Sequence, residues 1–197
     1  MKSNIVHVLV DMTGSMTFVK NDAIGSLNQF VENLPDDALV SIRLFNSYET
    51  VGYCLNVGAR EVRPLDSKTY KPSGTTPLYD AIGNMLEDAE DGEKTVFVVL
   101  TDGEENSSSE YNLDGVKKLM DDKKTINGWQ MVFLLAGVDA WDIGSKLGVS
   151  AGNTVMASQV NTVRRMGGTG QAVTNYFKSG DTAGDNFFET YGENKDD

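Results

Sequence analysis

The sequence contains one cysteine, Cys54, and one histidine, His7, in 197 residues. A single cysteine cannot form an internal disulfide or a cysteine-rich zinc site, so neither a secreted disulfide scaffold nor a zinc ribbon is expected. A single histidine leaves almost no material for a catalytic triad or for histidine-based acid–base chemistry. We therefore expect Cys54 to act as a small buried apolar group, and His7 to be a buried or half-buried strand residue.

Basic residues and long apolar runs are also scarce. The chain has 17 basic against 29 acidic residues, a formal net charge of −12. This charge repels nucleic acid and anionic lipid, so neither is expected as a partner. No stretch approaches the roughly 18 apolar residues of a spanning helix, and the apolar run after Met1 is too short for a signal peptide. We expect a cytoplasmic protein.

The residues that are present predict one folded domain. Hydrophobic residues make up 40% of the chain and charged residues 23%, as in ordinary globular proteins. The length leaves room for one domain and a tail. We place the domain at residues 1–157, and a partly helical extension with a frayed acidic end at residues 158–197.

Short apolar runs alternate with amphipathic stretches along the chain. The predicted strands are residues 5–10, 38–46, 49–57, 95–100, 130–136 and 153–157. The predicted helices are residues 24–34, 77–90, 111–124, 139–147 and 160–178. This order indicates a Rossmann-like, doubly wound α/β fold with helices on both faces of a mostly parallel sheet. The closely spaced pair at 38–57 predicts a hairpin, and hence one antiparallel edge strand.

Two of the predicted central strands end beside a carboxylate, one before Asp11 and the other just before Asp102. Ligands bind at the carboxyl ends of the strands in sheets of this kind, and the loop containing Thr75 belongs to the same edge. The segment from Asp11 to Ser15 offers one carboxylate and the hydroxyls of Thr13 and Ser15 at alternate positions. Such hard oxygen donors suit Mg²⁺ or Mn²⁺.

These residues resemble the von Willebrand factor A family and its metal-ion-dependent adhesion site. The family pattern is D-x-S/T-x-S, then a threonine before a helix, then an aspartate after a central strand. The matching segments are VLVDMTGSM, SGTTPLYDAI and VFVVLTDGEEN, and the resemblance covers residues 4–157. Two departures are Thr13, where serine is commoner, and Ser73, where many members have glycine. Neither departure removes an oxygen ligand.

The resemblance implies a division of roles among the site residues. Thr13 and Ser15 would ligate the metal directly, and Thr75 would do so directly or through water. Asp11 and Asp102 would hold coordinated waters and orient the hydroxyls. In the family, an acidic side chain of a protein partner fills the remaining position. The resemblance thus implies a cation-dependent protein-binding module and not an enzyme.

The neighbouring residues carry further expectations. Thr76 and Pro77 are expected as the N-cap and first residue of the following helix, which favours Thr75 as the ligand. Glu104 and Glu105 are expected to be solvated. Residues 167–170, Gly-Gly-Thr-Gly, follow no clear strand and lack the lysine of a P-loop, so a flexible connector is expected.

Two other functions stay open at this stage. In a metal-assisted hydrolase or phosphotransferase, the same cation would polarise a phosphoryl group. In an accessory subunit of an ATPase assembly, the domain would act through a nucleotide-binding partner.

Overall fold

The computed structural model describes residues 2–102, 105–136 and 143–192. Within them, the strands are Ile5–Asp11 (β1), Leu39–Phe45 (β2), Thr50–Gly58 (β3), Thr95–Thr101 (β4), Gln130–Ala136 (β5) and Thr154–Ala157 (β6). The helices are Lys20–Glu32 (α1), Leu78–Asp88 (α2), Leu113–Thr125 (α3), Gln159–Lys178 (α4) and Phe187–Tyr191 (α5). The predicted helix at 139–147 lies partly outside the described residues, and residues 143–146 are helical. No helix of the described chain combines the length and apolar character needed to cross a bilayer.

The strands form one sheet in the order β3-β2-β1-β4-β5-β6. All neighbouring pairs are parallel except β2 and β3, which form the predicted antiparallel hairpin at the edge. Asn56 in β3 adopts a left-handed φ of 49°, and the register of the hairpin shifts between Val40 and Arg43. The predicted Rossmann-like, doubly wound α/β fold is confirmed.

The central strands are buried on both faces because helices cover both sides of the sheet. Every residue of β1 and β4 is buried, which explains their nearly continuous apolar sequences. Val6, Val8 and Val10 face one apolar cluster, to which α1 and α4 contribute. Leu9 faces a second cluster, formed with α2 and α3. This packing holds β1 and β4 side by side, and their carboxyl ends therefore meet at one edge.

His7 is a core residue of β1, as expected. Its ring stacks on Trp129, with 5.1 Å between the ring centroids, and its Nε2 lies 2.9 Å from the Glu90 carbonyl oxygen. The pKa of His7 is lowered to about 4, mainly by burial and partly by the charges of Lys123 and Arg43, while the contact with the Glu90 carbonyl opposes the shift. The imidazole is therefore neutral in the folded protein at neutral pH. Cys54, expected to be buried, is half-buried.

The glycine-rich run at 167–170 is not a connector, and that expectation is wrong. It lies within α4, and its residues Gly167 and Gly170 are on the face that packs against α1. A Cβ at Gly170 would collide with the Phe30 carbonyl oxygen. The Asn33 side-chain amide donates to the Gly167 carbonyl oxygen at 3.0 Å. The glycines thus allow two helices to approach closely, and that approach joins the C-terminal residues to the body of the fold.

Candidate metal-binding site

Asp11 is the most buried carboxylate at the carboxyl edge of the sheet. It ends β1, and its side chain is fully buried beside the end of β4. Its Oδ1 accepts the Thr13 backbone N–H at 2.7 Å, and its Oδ2 accepts the Thr101 hydroxyl at 2.6 Å. Each oxygen of the carboxylate therefore has a donor from the protein, and these two contacts fix the side chain behind the loop.

The hydroxyls of Thr13 and Ser15 lie together in front of that carboxylate, 3.1 Å apart. Ser15 donates to Asp102 Oδ1 at 2.7 Å. A serine has a single hydroxyl proton, so Thr13 is the donor in its contact with Ser15. The predicted residues Thr13, Ser15 and Asp102 thus form one hydrogen-bonded chain, with Asp11 attached to it through the Thr13 backbone.

The loop that carries Thr75 is joined to the same place by two backbone hydrogen bonds. Gly14 N–H donates to the Gly74 carbonyl oxygen at 3.1 Å, and Ser73 N–H donates to the Met12 carbonyl oxygen at 3.0 Å. Gly74 has a φ of +77°, a conformation that suits glycine. Thr75 is exposed at this edge, and its backbone N–H donates to the Ser47 hydroxyl at 2.9 Å. The structure therefore brings the three predicted segments together.

Two contacts of Asp11 involve residues that the sequence pattern did not single out. The buried Tyr70 hydroxyl donates to the Asp11 carbonyl oxygen at 2.5 Å, and Thr101 holds the side chain from β4. Burial raises the pKa of Tyr70 well above its usual value, so the phenol stays protonated and remains a donor. Thr101 directly precedes Asp102 and could have been found from its place at the end of a strand. Tyr70 lies in an irregular segment with no sequence signal.

The Asp11 carboxylate, at the carboxyl edge of the sheet, has an electrostatic environment that disfavours its ionised form. The pKa of Asp11 is raised from 3.8 to about 6. Burial is the main cause, the hydrogen bonds from Thr101 and Thr13 oppose the shift, and the nearby charge of Asp102 adds to it. A dication nearby would reverse the shift by favouring the ionised form. The described residues contain no group of three or more His, Cys, Asp or Glu side chains that could hold a metal ion. The donor set is instead rich in hydroxyls, with carboxylates beside them, which fits a hard cation that keeps some of its water.

The amino end of α2 corrects two expectations. Thr76 makes no side-chain cap: the helix begins at Leu78, and Pro77 occupies the cap position. The free N–H groups are satisfied by the loop after β4, where Glu105 Oε2 accepts Tyr79 N–H at 2.9 Å and Ser108 accepts Asp80 N–H at 3.1 Å. Glu105 is therefore a helix cap and not a solvated acid. Glu104 lies outside the described residues.

This cap connects the segment that follows Asp102 to the segment that follows Thr75. The Thr76 backbone N–H donates to Asn106 Oδ1 at 2.8 Å, and Asn106 N–H donates back to the Thr76 carbonyl oxygen at 3.1 Å. Two of the candidate site's loops are thus joined to each other by hydrogen bonds. Their relative position is set by the fold.

Solved structures similar to this chain include von Willebrand factor A domains. The von Willebrand factor type A protein from Catenulispora acidiphila has a TM-score of 0.62 and 13% identity, over 88% of this chain and 43% of its own. The von Willebrand factor domain of the type V pilus tip protein Mfa5 from Porphyromonas gingivalis has a TM-score of 0.65 and 9% identity, over 91% and 98%. Manganese-loaded TRAP protein from Plasmodium vivax has a TM-score of 0.56 and 19% identity, over 84% of this chain and 72% of its own.

These similarities establish the fold of the chain as that of von Willebrand factor A domains. The chain spans less than half of the length of the Catenulispora protein. No family model and no curated protein matches the sequence. Because identities of this size carry the fold alone, the function of this chain has to be argued from its own residues.

Proposed function

We propose that this protein is a divalent-cation-dependent protein-binding module, which captures an acidic side chain of a partner at the Thr13–Ser15–Asp102 site. The observation that carries the proposal is the hydrogen bond from Ser15 to Asp102 at 2.7 Å, with Thr13 3.1 Å from Ser15. These contacts support the proposal, because two hydroxyl oxygens and one carboxylate from distant segments lie close together. Pilus and TRAP proteins among the structural neighbours support a protein-interaction role.

Thr13, Ser15 and Thr75 would hold the ion directly, whereas Asp11 and Asp102 would act mainly through water. Both oxygens of Asp11 already accept hydrogen bonds, from Thr13 and Thr101, which supports its position behind the ligands. When bound, Mg²⁺ or Mn²⁺ would supply a positive centre that accepts an oxygen ligand. Because the direct ligands are neutral hydroxyls, the ion would keep enough positive character to attract a foreign carboxylate. A manganese-loaded neighbour supports divalent-metal binding.

An intracellular location follows only from the sequence prediction and is proposed on that basis. Accessory action in an ATPase assembly would use the same capture of an acidic side chain, with a nucleotide-binding protein as the partner. A metal-assisted hydrolase is the alternative from another class, and no described contact favours it.

The test compares capture of proteins from native lysate by wild type and by Asp102→Asn, each with Mg²⁺ and with EDTA. Asp37→Asn is a matched control, because it removes the same charge at an exposed position after α1. We expect a protein that wild type and Asp37→Asn retain in Mg²⁺ and release in EDTA, and that Asp102→Asn does not retain. Equal retention by Asp102→Asn, or retention that EDTA leaves unchanged, would contradict the proposal.

The same preparations test the alternative function, that of a metal-assisted hydrolase. We expect no hydrolysis of p-nitrophenyl phosphate in Mn²⁺ above the level of Asp102→Asn. Turnover by wild type that the substitution abolishes would favour the hydrolase instead.

A further inference from the structure

Two exposed aromatic side chains belong to, or pack against, the segments that carry the candidate metal ligands. Phe18 is 90% exposed and Tyr48 is 78% exposed. In the described part of the chain no other aromatic side chain is exposed. Because exposed aromatic surface mixed with polar groups marks protein-binding surfaces, their place at the site calls for an explanation.

The backbone around Phe18 is fixed by neighbouring residues of the same segment. It lies in the 3-10 segment Gly14–Val19, three positions after Ser15. Met16 and Val19 are buried on either side of it, and the Thr17 hydroxyl donates to the Gly14 carbonyl oxygen at 2.7 Å. The backbone that carries Phe18 is therefore anchored, while the ring itself faces solvent.

Tyr48 stands beside the other hydroxyl-bearing loop. Asn46 Oδ1 accepts the Tyr48 backbone N–H at 2.8 Å, which shapes the turn between β2 and β3. A Cβ at Gly74 would lie 2.9 Å from Cε2 of the Tyr48 ring, so the ring packs against the backbone next to Thr75. The two segments with the candidate ligands Ser15 and Thr75 thus each have one exposed aromatic ring close by.

Lysines add positive charge at the same edge of an otherwise acidic chain. Lys20 Nζ donates to the Ser67 carbonyl oxygen at 3.1 Å, which joins the start of α1 to the loop that contains Lys68 and Lys71. The Lys71 backbone N–H contacts the sulfur of Met12, the residue after Asp11, at 3.4 Å. Asp66 lies in the same loop and accepts the backbone N–H groups of two residues there. Residues 66–71 carry two lysines against one aspartate, and Lys20 contacts the same loop, so this surface is complementary to a negatively charged segment.

From these features, and resting on the function proposed above, we propose that the partner presents its metal-binding Asp or Glu between large apolar side chains, in an acidic polypeptide segment. The carboxylate would complete the coordination of the ion. The apolar neighbours would cover Phe18 and Tyr48, and further acidic residues would meet the lysines. Burial of aromatic surface would add affinity that the ion alone cannot supply, and would select among acidic segments.

The experiment selects ligands from a random-peptide library displayed on phage. The full chain is immobilised, washed in Mg²⁺, and eluted with EDTA so that only metal-dependent peptides are sequenced. Wild type is compared with the double variant Phe18→Ser/Tyr48→Ser. Ile126→Ser is the matched control, because Ile126 is 76% exposed at the end of α3, next to the opposite edge of the sheet.

In the wild-type and Ile126→Ser pools, we expect Asp or Glu flanked by Leu, Ile, Phe, Tyr or Trp. The enrichment should be about tenfold over the library, the factor given by about 1.4 kcal/mol. In the double-variant pool, the acidic residue should persist while the flanking enrichment falls to the library level. Wild-type peptides with an acidic residue and no apolar flanks would overturn the proposal and leave the metal-dependent capture standing. If no peptide elutes with EDTA, the proposed function itself fails, and this inference fails with it.

Discussion

The Ser15 hydroxyl donates a hydrogen bond of 2.7 Å to Asp102, although 87 residues separate the two in the sequence. The contact exists because β1 and β4 are adjacent and parallel, so the loops that follow them leave the sheet at one edge. It also orients Ser15, whose proton points to Asp102 and whose lone pairs remain on the side of Thr13. This arrangement is the core of the proposed cation site.

Tyr70 is expected to stabilise the end of β1, where the loop of the candidate site begins. Its buried hydroxyl donates to the Asp11 carbonyl oxygen, so Tyr70→Phe should lower the free energy of unfolding by about 1–2 kcal/mol. The measurement is urea denaturation followed by circular dichroism. Tyr48→Phe removes the same hydroxyl from a ring that is 78% exposed, and should change stability by less than about 0.5 kcal/mol. Equal effects of the two substitutions would contradict the role given to Tyr70.

The glycines of α4 give a prediction of two opposite signs. Gly170→Ala places a Cβ against the Phe30 carbonyl oxygen, and should destabilise the protein by about 1–3 kcal/mol. Gly168→Ala meets no atom within 4 Å and lies in the same helix, so it should stabilise by up to about 1 kcal/mol. Urea denaturation of both variants measures the difference. A stabilising Gly170→Ala would mean that α4 does not approach α1 as described.

Glu105 is expected to contribute to stability as the cap of α2. Its carboxylate accepts the N–H groups of Tyr79 and Ser107, and its charge lies at the positive end of the helix. Glu105→Gln should lower the midpoint of thermal unfolding, at a cost of about 0.5–2 kcal/mol. Glu93→Gln removes the same charge at an exposed position and serves as the control. A midpoint as high as that of the control would show that the cap contributes nothing.

His7 should make stability depend on pH. The pKa of His7 is about 4 in the folded protein, against the 6.5 of an ordinary histidine that we take for the unfolded chain. Between these two pH values the unfolded chain therefore binds the proton more readily. The stability is therefore complete above pH 6.5 and is lost as the pH falls toward 4. Asp11 acts with the opposite sign: its pKa is raised from 3.8 to about 6, so stability present at low pH is lost as the pH rises through 6.

The contribution of His7 is isolated by His7→Phe, which keeps a ring against Trp129. The difference in unfolding free energy between wild type and variant should shift in favour of the variant by up to about 3 kcal/mol between pH 7 and pH 4. Asp11 is present in both proteins and cancels in the comparison. Urea denaturation across this range in EDTA provides the measurement. Parallel pH profiles would contradict a buried neutral imidazole.

The sequence predicted the parts of the fold that depend on local patterns. The continuous apolar runs of β1 and β4 identified central strands, because strands covered on both faces have no polar side. The spacing of Asp11, Thr13 and Ser15 identified the loop, and its meeting with Asp102 followed from the parallel topology. The structure brings Thr13, Ser15 and Asp102 into one hydrogen-bonded chain, while the roles of these residues toward a metal stay a prediction.

The expectations that failed concern contacts between segments distant in sequence. Glu105 caps α2 from another loop, and no local rule distinguishes such an acid from a solvated one. Residues 167–170 were expected to form a connector because they follow no clear strand and lack the lysine of a P-loop. In the fold, however, Gly167 and Gly170 face α1, where larger side chains would not fit. Tyr70 was missed for a similar reason, since only the packed structure brings its hydroxyl to Asp11.

The proposed cation site is tested most directly by calorimetric titration of Mn²⁺ into the metal-free protein, for wild type, Asp102→Asn and Asp37→Asn. We predict one Mn²⁺ per chain for wild type and for Asp37→Asn. Binding by Asp102→Asn should be at least about tenfold weaker, because the substitution removes the negative charge beside Ser15. Circular dichroism of the three proteins should show the same fold. Equal Mn²⁺ affinity of wild type and Asp102→Asn, or no binding by wild type, would contradict the proposed site.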